Sequence, residues 1–169
     1  NIYGKTKLAG EKALQDTMST NAIIIRTSWL YSEFGNNFVN TMLKLGKEQD
    51  ELNIVNDQIG SPTYATDLAE IILHIIKTKG FKGAGQTTQI YHYSNDGKIS
   101  WYDFAKEIFK IAKIDCKVNP IITKQYPTPA RRPKNTVMKK IKIESKFEIQ
   151  AFEWKISLGI FRKESLKLS

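Results

Sequence analysis

An alternating α/β fold is the class this sequence predicts, on three observations. Two short runs read as strands: Ala22–Thr27, β-branched and apolar without alternation, as a strand covered on both faces is, and Leu52–Val55. Segments of helical apolar spacing lie around them, with Gly, Pro and Asn at the junctions. Repeats and low-complexity stretches are absent, so the alternation itself decides the class.

Leu8, Ala9, Ala13 and Leu14 recur at helical spacing with no Pro, which predicts a helix over Tyr3–Met18. The strand Ala22–Thr27 follows, then Ser28-Trp29-Leu30-Tyr31 and a turn at Gly35-Asn36-Asn37. Phe38, Met42, Leu43 and Leu45 mark the next amphipathic helix. After the strand Leu52–Val55, Gly60-Ser61-Pro62-Thr63 reads as a loop, because Gly and Pro interrupt a regular ladder. From Thr66-Asp67 a helix runs through Leu68, Ile71, Ile72 and Ile75 to Lys79-Gly80, acidic at its start and basic at its end, as the helix dipole favours. A Gly- and Thr-rich link, Gly83–Thr88, leads to a strand at Ile90–Tyr93. Ser100-Trp101-Tyr102-Asp103 has capping-box spacing, with Asp in place of Glu, and opens a helix over Phe104–Ala112. Val118–Ile122 reads as a strand interrupted by Pro120, Tyr126–Pro133 as a Pro-rich loop, and Phe152–Leu166 as the last helix. No linker divides the chain, so a single α/β unit is expected over 1–169.

The 169 residues are enough to bury about 70% of the surface of the unfolded chain. One cysteine, Cys116, leaves no internal disulfide, and no stretch approaches the roughly 18 apolar residues of a membrane span. A reducing cytoplasm is expected, without membrane attachment. The first residues lack an initiator Met and the pattern of a signal peptide, which suggests a truncated chain. The net charge is +9, and the whole excess lies in residues 101–169, with 16 basic against 7 acidic side chains. Between Cys116 and Ile143 the charged residues are Lys117, Lys124, Arg131, Arg132, Lys134, Lys139, Lys140 and Lys142, with no acid among them. Tyr126 is the lone aromatic of that segment, so base stacking is poorly served and nucleic acid is not the expected partner.

Tyr3 and Lys7 lie four apart, on one face of the first helix. A phenol can donate a proton to a carbonyl oxygen as hydride reaches the carbon, and a neighbouring ammonium favours the phenolate that results. Tyr102 and Lys106 repeat the spacing, so spacing alone does not choose. His74 among isoleucines reads as a packed or half-buried helix histidine, and His92 has no evident partner. No Cys/His set has zinc spacing, and no serine sits in a nucleophile elbow.

Context separates the two Tyr/Lys pairs. Asn1-Ile2-Tyr3-Gly4-Lys5-Thr6-Lys7-Leu8-Ala9-Gly10-Glu11, followed by a strand ending Arg26-Thr27-Ser28-Trp29-Leu30-Tyr31, resembles the active-site segment of the extended short-chain dehydrogenase/reductase family. Three further segments agree in order: Gly35-Asn36-Asn37-Phe38; Asn56 to Thr63 with Asp67-Leu68-Ala69; and Tyr126 to Asn135. The resemblance covers nearly the whole chain. It implies the carboxyl-terminal part of an NAD(P)-binding Rossmann-type enzyme with its substrate-binding portion, the amino-terminal dinucleotide-binding half being absent. No Gly-rich strand-turn-helix fingerprint for a pyrophosphate occurs in the 169 residues, which agrees.

By that resemblance, the parent enzyme uses NADPH or NADH to reduce the 4-keto group of a nucleoside-diphosphate 6-deoxy-sugar, such as dTDP-4-dehydrorhamnose to dTDP-L-rhamnose. Tyr3 is then the general acid, and Lys7 assists it and holds the nicotinamide ribose. Thr27 and Ser28 lie by the nicotinamide, at the carboxyl end of a strand, where open α/β sheets bind ligands. Trp29, Asn36, Asn37, Gln58 and Arg132 meet the substrate; Arg132 is placed on the diphosphate because a guanidinium fork matches phosphate oxygens. Against these stand plainer roles: Trp29 in the core, Asn36 and Asn37 as turn residues, Gln58, Gly60 and Thr63 as shapers of their loop. Lys124, Lys134, Lys139 and Lys140 are expected on the solvated surface. Some relatives bridge subunits with magnesium; Thr66 stands about where one carboxylate would be needed, so that ion is not expected, and the resemblance leaves a homodimer open. The chain alone is expected to be inactive and to bind cofactor poorly. The rival reading is a reductase-like binding or regulatory subunit without chemistry, against which Tyr3 and Lys7 speak.

Overall fold

The computed structural model describes residues 1–78, 87–129 and 132–167. Among the described residues six helices and eight strands alternate: α1 (Ile2–Thr17), β1 (Ile23–Arg26), β2 (Leu30–Tyr31), α2 (Phe38–Glu48), β3 (Glu51–Val55), β4 (Ile59–Gly60), β5 (Thr63–Tyr64), α3 (Ala65–Lys77), β6 (Gln89–His92), β7 (Ile99–Ser100), α4 (Trp101–Ala112), β8 (Lys117–Ile121), α5 (Ile141–Phe147) and α6 (Trp154–Lys167). A 3₁₀ turn, Thr123–Gln125, follows β8. The class is α/β, as the alternation predicts.

The strands form four two-stranded ladders. β1 pairs β6 in parallel, Ile23 opposite Gln89, and β3 pairs β8 in parallel, Glu51 opposite Lys117. Pro120 stands opposite Ile54, which β8 tolerates because its other edge carries no ladder among the described residues. The stretch expected as plain loop at 60–63 holds two short ladders instead: β2 with β5 in parallel and β4 with β7 in antiparallel, Gly60 opposite Ile99. Two residues per strand are too few to show a period, so no pattern announced them.

Apolar side chains gather in two clusters. Tyr31, Val39, Met42, Leu52, Phe104, Ile108, Phe109, Trp154, Leu158 and Phe161 join α2, α4, α6 and β3. Ile75, Tyr91, Tyr93, Ile143, Phe147 and Ile149 join α3, β6 and α5. α5 was not expected, since its seven residues sit in the basic segment, yet Ile143 and Phe147 are buried. Helix starts differ by a few residues from expectation: Ser100 caps α4 by accepting from the Asp103 amide at 3.0 Å, so Trp101 is already helical, and α6 begins at Trp154. The link at Gly83–Thr88 lies mostly outside the described residues. His74 is exposed rather than packed, with its Nε2 2.9 Å from the Phe147 carbonyl oxygen. Among the described residues no helix is long and apolar enough to cross a membrane.

α1 is different in kind. None of its residues is buried, and Ile2 and Tyr3 are 80% and 69% exposed. Its Asn1 cap accepts from the Gly4 amide at 2.9 Å, and its far end is tied by Thr88, which donates to the carbonyls of Met18 and Ser19.

Candidate active site

Tyr3, Lys7 and Glu11 are spaced by four and form one stripe along α1. The Lys7 ammonium lies 5.5 Å from the centre of the Tyr3 ring, one turn away. Glu11 fastens this stripe to the sheet: Arg26, the last residue of β1, donates to its carboxylate from Nε at 2.7 Å and Nη2 at 2.5 Å. The guanidinium fork holds the Glu11 carboxyl below the usual carboxylate range and raises Arg26. Sequence reading had no role for Glu11, although its spacing from Tyr3 and Lys7 marked the same face.

Past Arg26 the chain enters a hydroxyl network. Thr27 donates to the Thr63 hydroxyl at 3.1 Å, Thr63 donates to the Ser28 carbonyl at 2.7 Å, and Ser28 donates to the Ser61 carbonyl at 2.8 Å. Ser61 passes the chain on to the Gly97 carbonyl at 2.6 Å. Thr63 and Ser61 are buried, so they hold Thr27 and Ser28 rather than a ligand. Thr27 is exposed and Ser28 half-buried.

Trp29 follows with φ +47°, in the left-handed region that a bulky side chain enters at a cost of roughly 1–3 kcal/mol. Its ring is half-buried and stacks on Trp101, with centroids 3.5 Å apart and planes 12° apart. Trp29 is therefore packed, as the plainer reading expects, and it follows β1 in the chain.

Asn37 caps α2: its Oδ1 accepts from the Asn40 amide at 3.0 Å and its Nδ2 donates to the Ser32 carbonyl at 2.8 Å. Asn36, beside it, is exposed. Gln58 is buried and donates to Thr123 Oγ1 at 3.1 Å, while Asp57 accepts from the Thr123 amide and hydroxyl at 2.7 and 2.6 Å. The Thr123 hydroxyl bond holds the Asp57 carboxyl below its ordinary range. These bonds fix the start of the segment that carries Arg132, itself exposed. The side chains of Asn37 and Gln58 are thus committed to the fold. Lys140 corrects an expectation: its side chain is 11% exposed, and it pairs with Asp96 at 3.0 Å and donates to the Asn95 carbonyl at 3.3 Å. Lys142 is likewise occupied, donating to Gln89 and to the Ile90 carbonyl.

Beneath the site lies a buried polar knot that no pattern foretold. Asn95 accepts from the Tyr64 amide at 2.7 Å, donates to the Asp67 carboxylate and reaches Ser157 Oγ at 2.9 Å; Ser157 donates to Asp67 at 2.5 Å. Tyr64 donates to Glu33, and burial together with that carboxylate pushes its hydroxyl up to about 12. Burial raises the Tyr31 and Tyr93 hydroxyls as well. Among the described residues no group of three or more His, Cys, Asp or Glu is placed to hold a metal.

The RmlD substrate binding domain family matches residues 1–166. The chain belongs to this family. A dTDP-4-dehydrorhamnose reductase of Aggregatibacter actinomycetemcomitans is 44% identical to it, over 95% of this chain and 56% of the relative. Among solved structures, a dTDP-4-dehydrorhamnose reductase of Bacillus anthracis in complex with NADP matches with TM-score 0.86 at 40% identity, over 97% of this chain and 55% of that one. An ortholog from Clostridium acetobutylicum matches with TM-score 0.85 at 42% identity, over 96% of this chain and 55% of its own. The chain spans about half the length of these RmlD relatives, and the resemblance read from its motifs agrees with them in family and in fold.

Proposed function

We propose that this chain is the substrate-binding part of a longer NADPH- or NADH-dependent reductase that converts the 4-keto group of dTDP-4-dehydrorhamnose to the alcohol of dTDP-L-rhamnose. One observation carries the reading: Tyr3 and Lys7 share an exposed helix face, and Glu11 of that same face is clamped to Arg26, the residue before Thr27 and Ser28. Solvent-facing residues on a fixed helix are open to a ligand, whereas in the repeated pair Tyr102 is half-buried, on a helix packed into the core.

The residues present fit one end of a dinucleotide. The Tyr3 hydroxyl and the Lys7 ammonium are donors for a ribose, and the Thr27 and Ser28 hydroxyls, whose hydrogens go to Thr63 and to the Ser61 carbonyl, offer lone pairs to a nicotinamide amide N–H, while the Gly-rich turn a pyrophosphate needs is not in this sequence. The cofactor, when bound, supplies hydride to the carbonyl carbon. Tyr3 donates its proton to the keto oxygen as negative charge develops there, and Lys7 stabilises the phenolate left behind. Arg132, exposed on a segment anchored by Asp57 and Gln58 through Thr123, is available to the diphosphate. The reaction belongs in the cytoplasm.

The test is oxidation of NADPH by the longer protein, with the keto-sugar present and absent. Sugar-dependent oxidation is the expected result. Binding of the sugar nucleotide without turnover would instead establish the regulatory reading and overturn this one. The 169-residue chain alone is expected to oxidise no NADPH.

A further inference from the structure

The Trp29 indole is gripped by residues that two short ladders bring together from distant parts of the sequence. Trp29 is fixed by β2 and β5, its carbonyl accepting from the Thr63 amide at 3.1 Å. β4 and β7 pair Gly60 with Ile99, two residues before Trp101, and Ser100 caps the helix that Trp101 opens. One face of the indole then lies on Trp101, and Gly60 lies against its Cε2–Cζ2 bond: a Cβ on Gly60 would stand 2.6 Å from Cζ2 and 2.7 Å from Thr136 Oγ1. Phe38 backs Trp101 at 4.5 Å between centroids. Such an indole cannot rotate, and a sugar cannot stack on the face that Trp101 covers. Its Nε1 hydrogen is in no hydrogen bond among the described residues, and the atom is not one of the fully buried, unpartnered ones, so it reaches the surface.

We propose that Trp101 is a positioning residue of the keto-sugar subsite, which holds Trp29 so that its indole N–H is presented to a sugar oxygen. This rests on the reading of the chain as a keto-sugar reductase. Gly60 serves the same end by leaving room for the ring. A tryptophan held in the left-handed region, wedged on one side and stacked on the other, is more constraint than packing an ordinary loop requires. A donor fixed before the ligand arrives loses little freedom on binding it.

Two measurements test the assignment. Trp101→Leu keeps apolar volume against Phe38 but removes the flat ring, while Trp101→Phe keeps a flat ring. In indole ¹⁵N–¹H spectra of the 169-residue chain, Trp101→Leu is expected to shift and broaden the Trp29 signal while that of buried Trp154 stays, and Trp101→Phe to preserve both. An unmoved Trp29 signal in Trp101→Leu would overturn the clamp. In the longer reductase, Trp101→Leu is expected to raise KM for the keto-sugar about fivefold with kcat within about twofold, as loss of ground-state and transition-state binding alike does. Trp101→Phe is expected to restore KM. Adding Trp101→Leu to Trp29→Phe is expected to change nothing further, since the clamp then has nothing to present; effects that multiply would overturn the proposal. A wild-type enzyme that leaves the keto-sugar unreduced would remove the functional reading and the sugar contact with it, while the Trp29 signal would still decide whether Trp101 fixes the ring.

Discussion

Replacing Asn95 by Ala strikes the support beneath the site. The side chain is fully buried and serves three elements: the Tyr64 amide at the β5–α3 corner, the Asp67 carboxylate in the first turn of α3, and Ser157 of α6. Alanine leaves the Tyr64 N–H without its acceptor, at about 1–3 kcal/mol. It also strips the amide donor from Asp67, which is 4% exposed and keeps the Ser157 hydroxyl. Removing one partner of a buried ion costs up to about 3–5 kcal/mol; with Ser157 still in place, the total comes to roughly 4 kcal/mol. For 169 residues that is a fall in Tm of about 10 °C. Urea unfolding followed by tryptophan fluorescence should show a lower midpoint at unchanged m. Asn95→Asp sharpens the test, because it keeps an acceptor for Tyr64 but sets a second carboxylate beside Asp67. The introduced carboxyl is buried, which disfavours its charged form, so its folded-state pKa rises and stability is lost as pH rises. The variant should be weaker at pH 7 than at pH 5, relative to wild type. A loss under about 1 kcal/mol for Asn95→Ala, or no pH dependence for Asn95→Asp, would refute the knot as a support.

Gly97 has φ +100°, and a Cβ there would lie 2.5 Å from Trp154 Cδ1, so Gly97→Ala should destabilise by about 3 kcal/mol in the same unfolding assay. The Glu11–Arg26 pair should show a coupling of about 0.5–1 kcal/mol in a double-mutant cycle at pH 7, modest because Arg26 is 43% exposed. Since Glu11 is held below the usual carboxylate range, that coupling is present above the unfolded pKa, near 4, and should be lost only as pH falls below it, through the lowered pKa of the folded carboxyl.

The class and most elements were legible because long runs speak for themselves. The apolar Ile23-Ile24-Ile25 reads as a strand and is one, although its isoleucines are half-buried rather than covered on both faces, and Phe38, Val39 and Met42 carry a helical stripe that the structure buries in part. Short elements were not: β4 with β7 and β2 with β5 hold two residues each, and α5 is a seven-residue turn of helix inside a charged segment. At the site, the Tyr3 and Lys7 spacing was readable, but what ties it down was not, since Glu11 and Arg26 are 15 residues apart and only the fold introduces them. Asn37 and Gln58 show a different limit. A side-chain amide caps a helix or binds a ligand with the same atoms, and sequence does not say which. Lys140 looked like surface because nothing in its neighbourhood announces that Asp96 and the Asn95 carbonyl will cover it.

The central claim is that Tyr3, on an exposed helix face beside Lys7, gives its proton to a sugar ketone. Its most direct measurement is Tyr3→Phe in the longer reductase, followed by NADPH oxidation with saturating keto-sugar. The hydroxyl is removed and the helix face kept, so kcat should fall by about 10²–10⁴, the contribution of a positioned acid, with KM within about twofold. A Tyr3→Phe enzyme that turns over as fast as wild type would contradict the account.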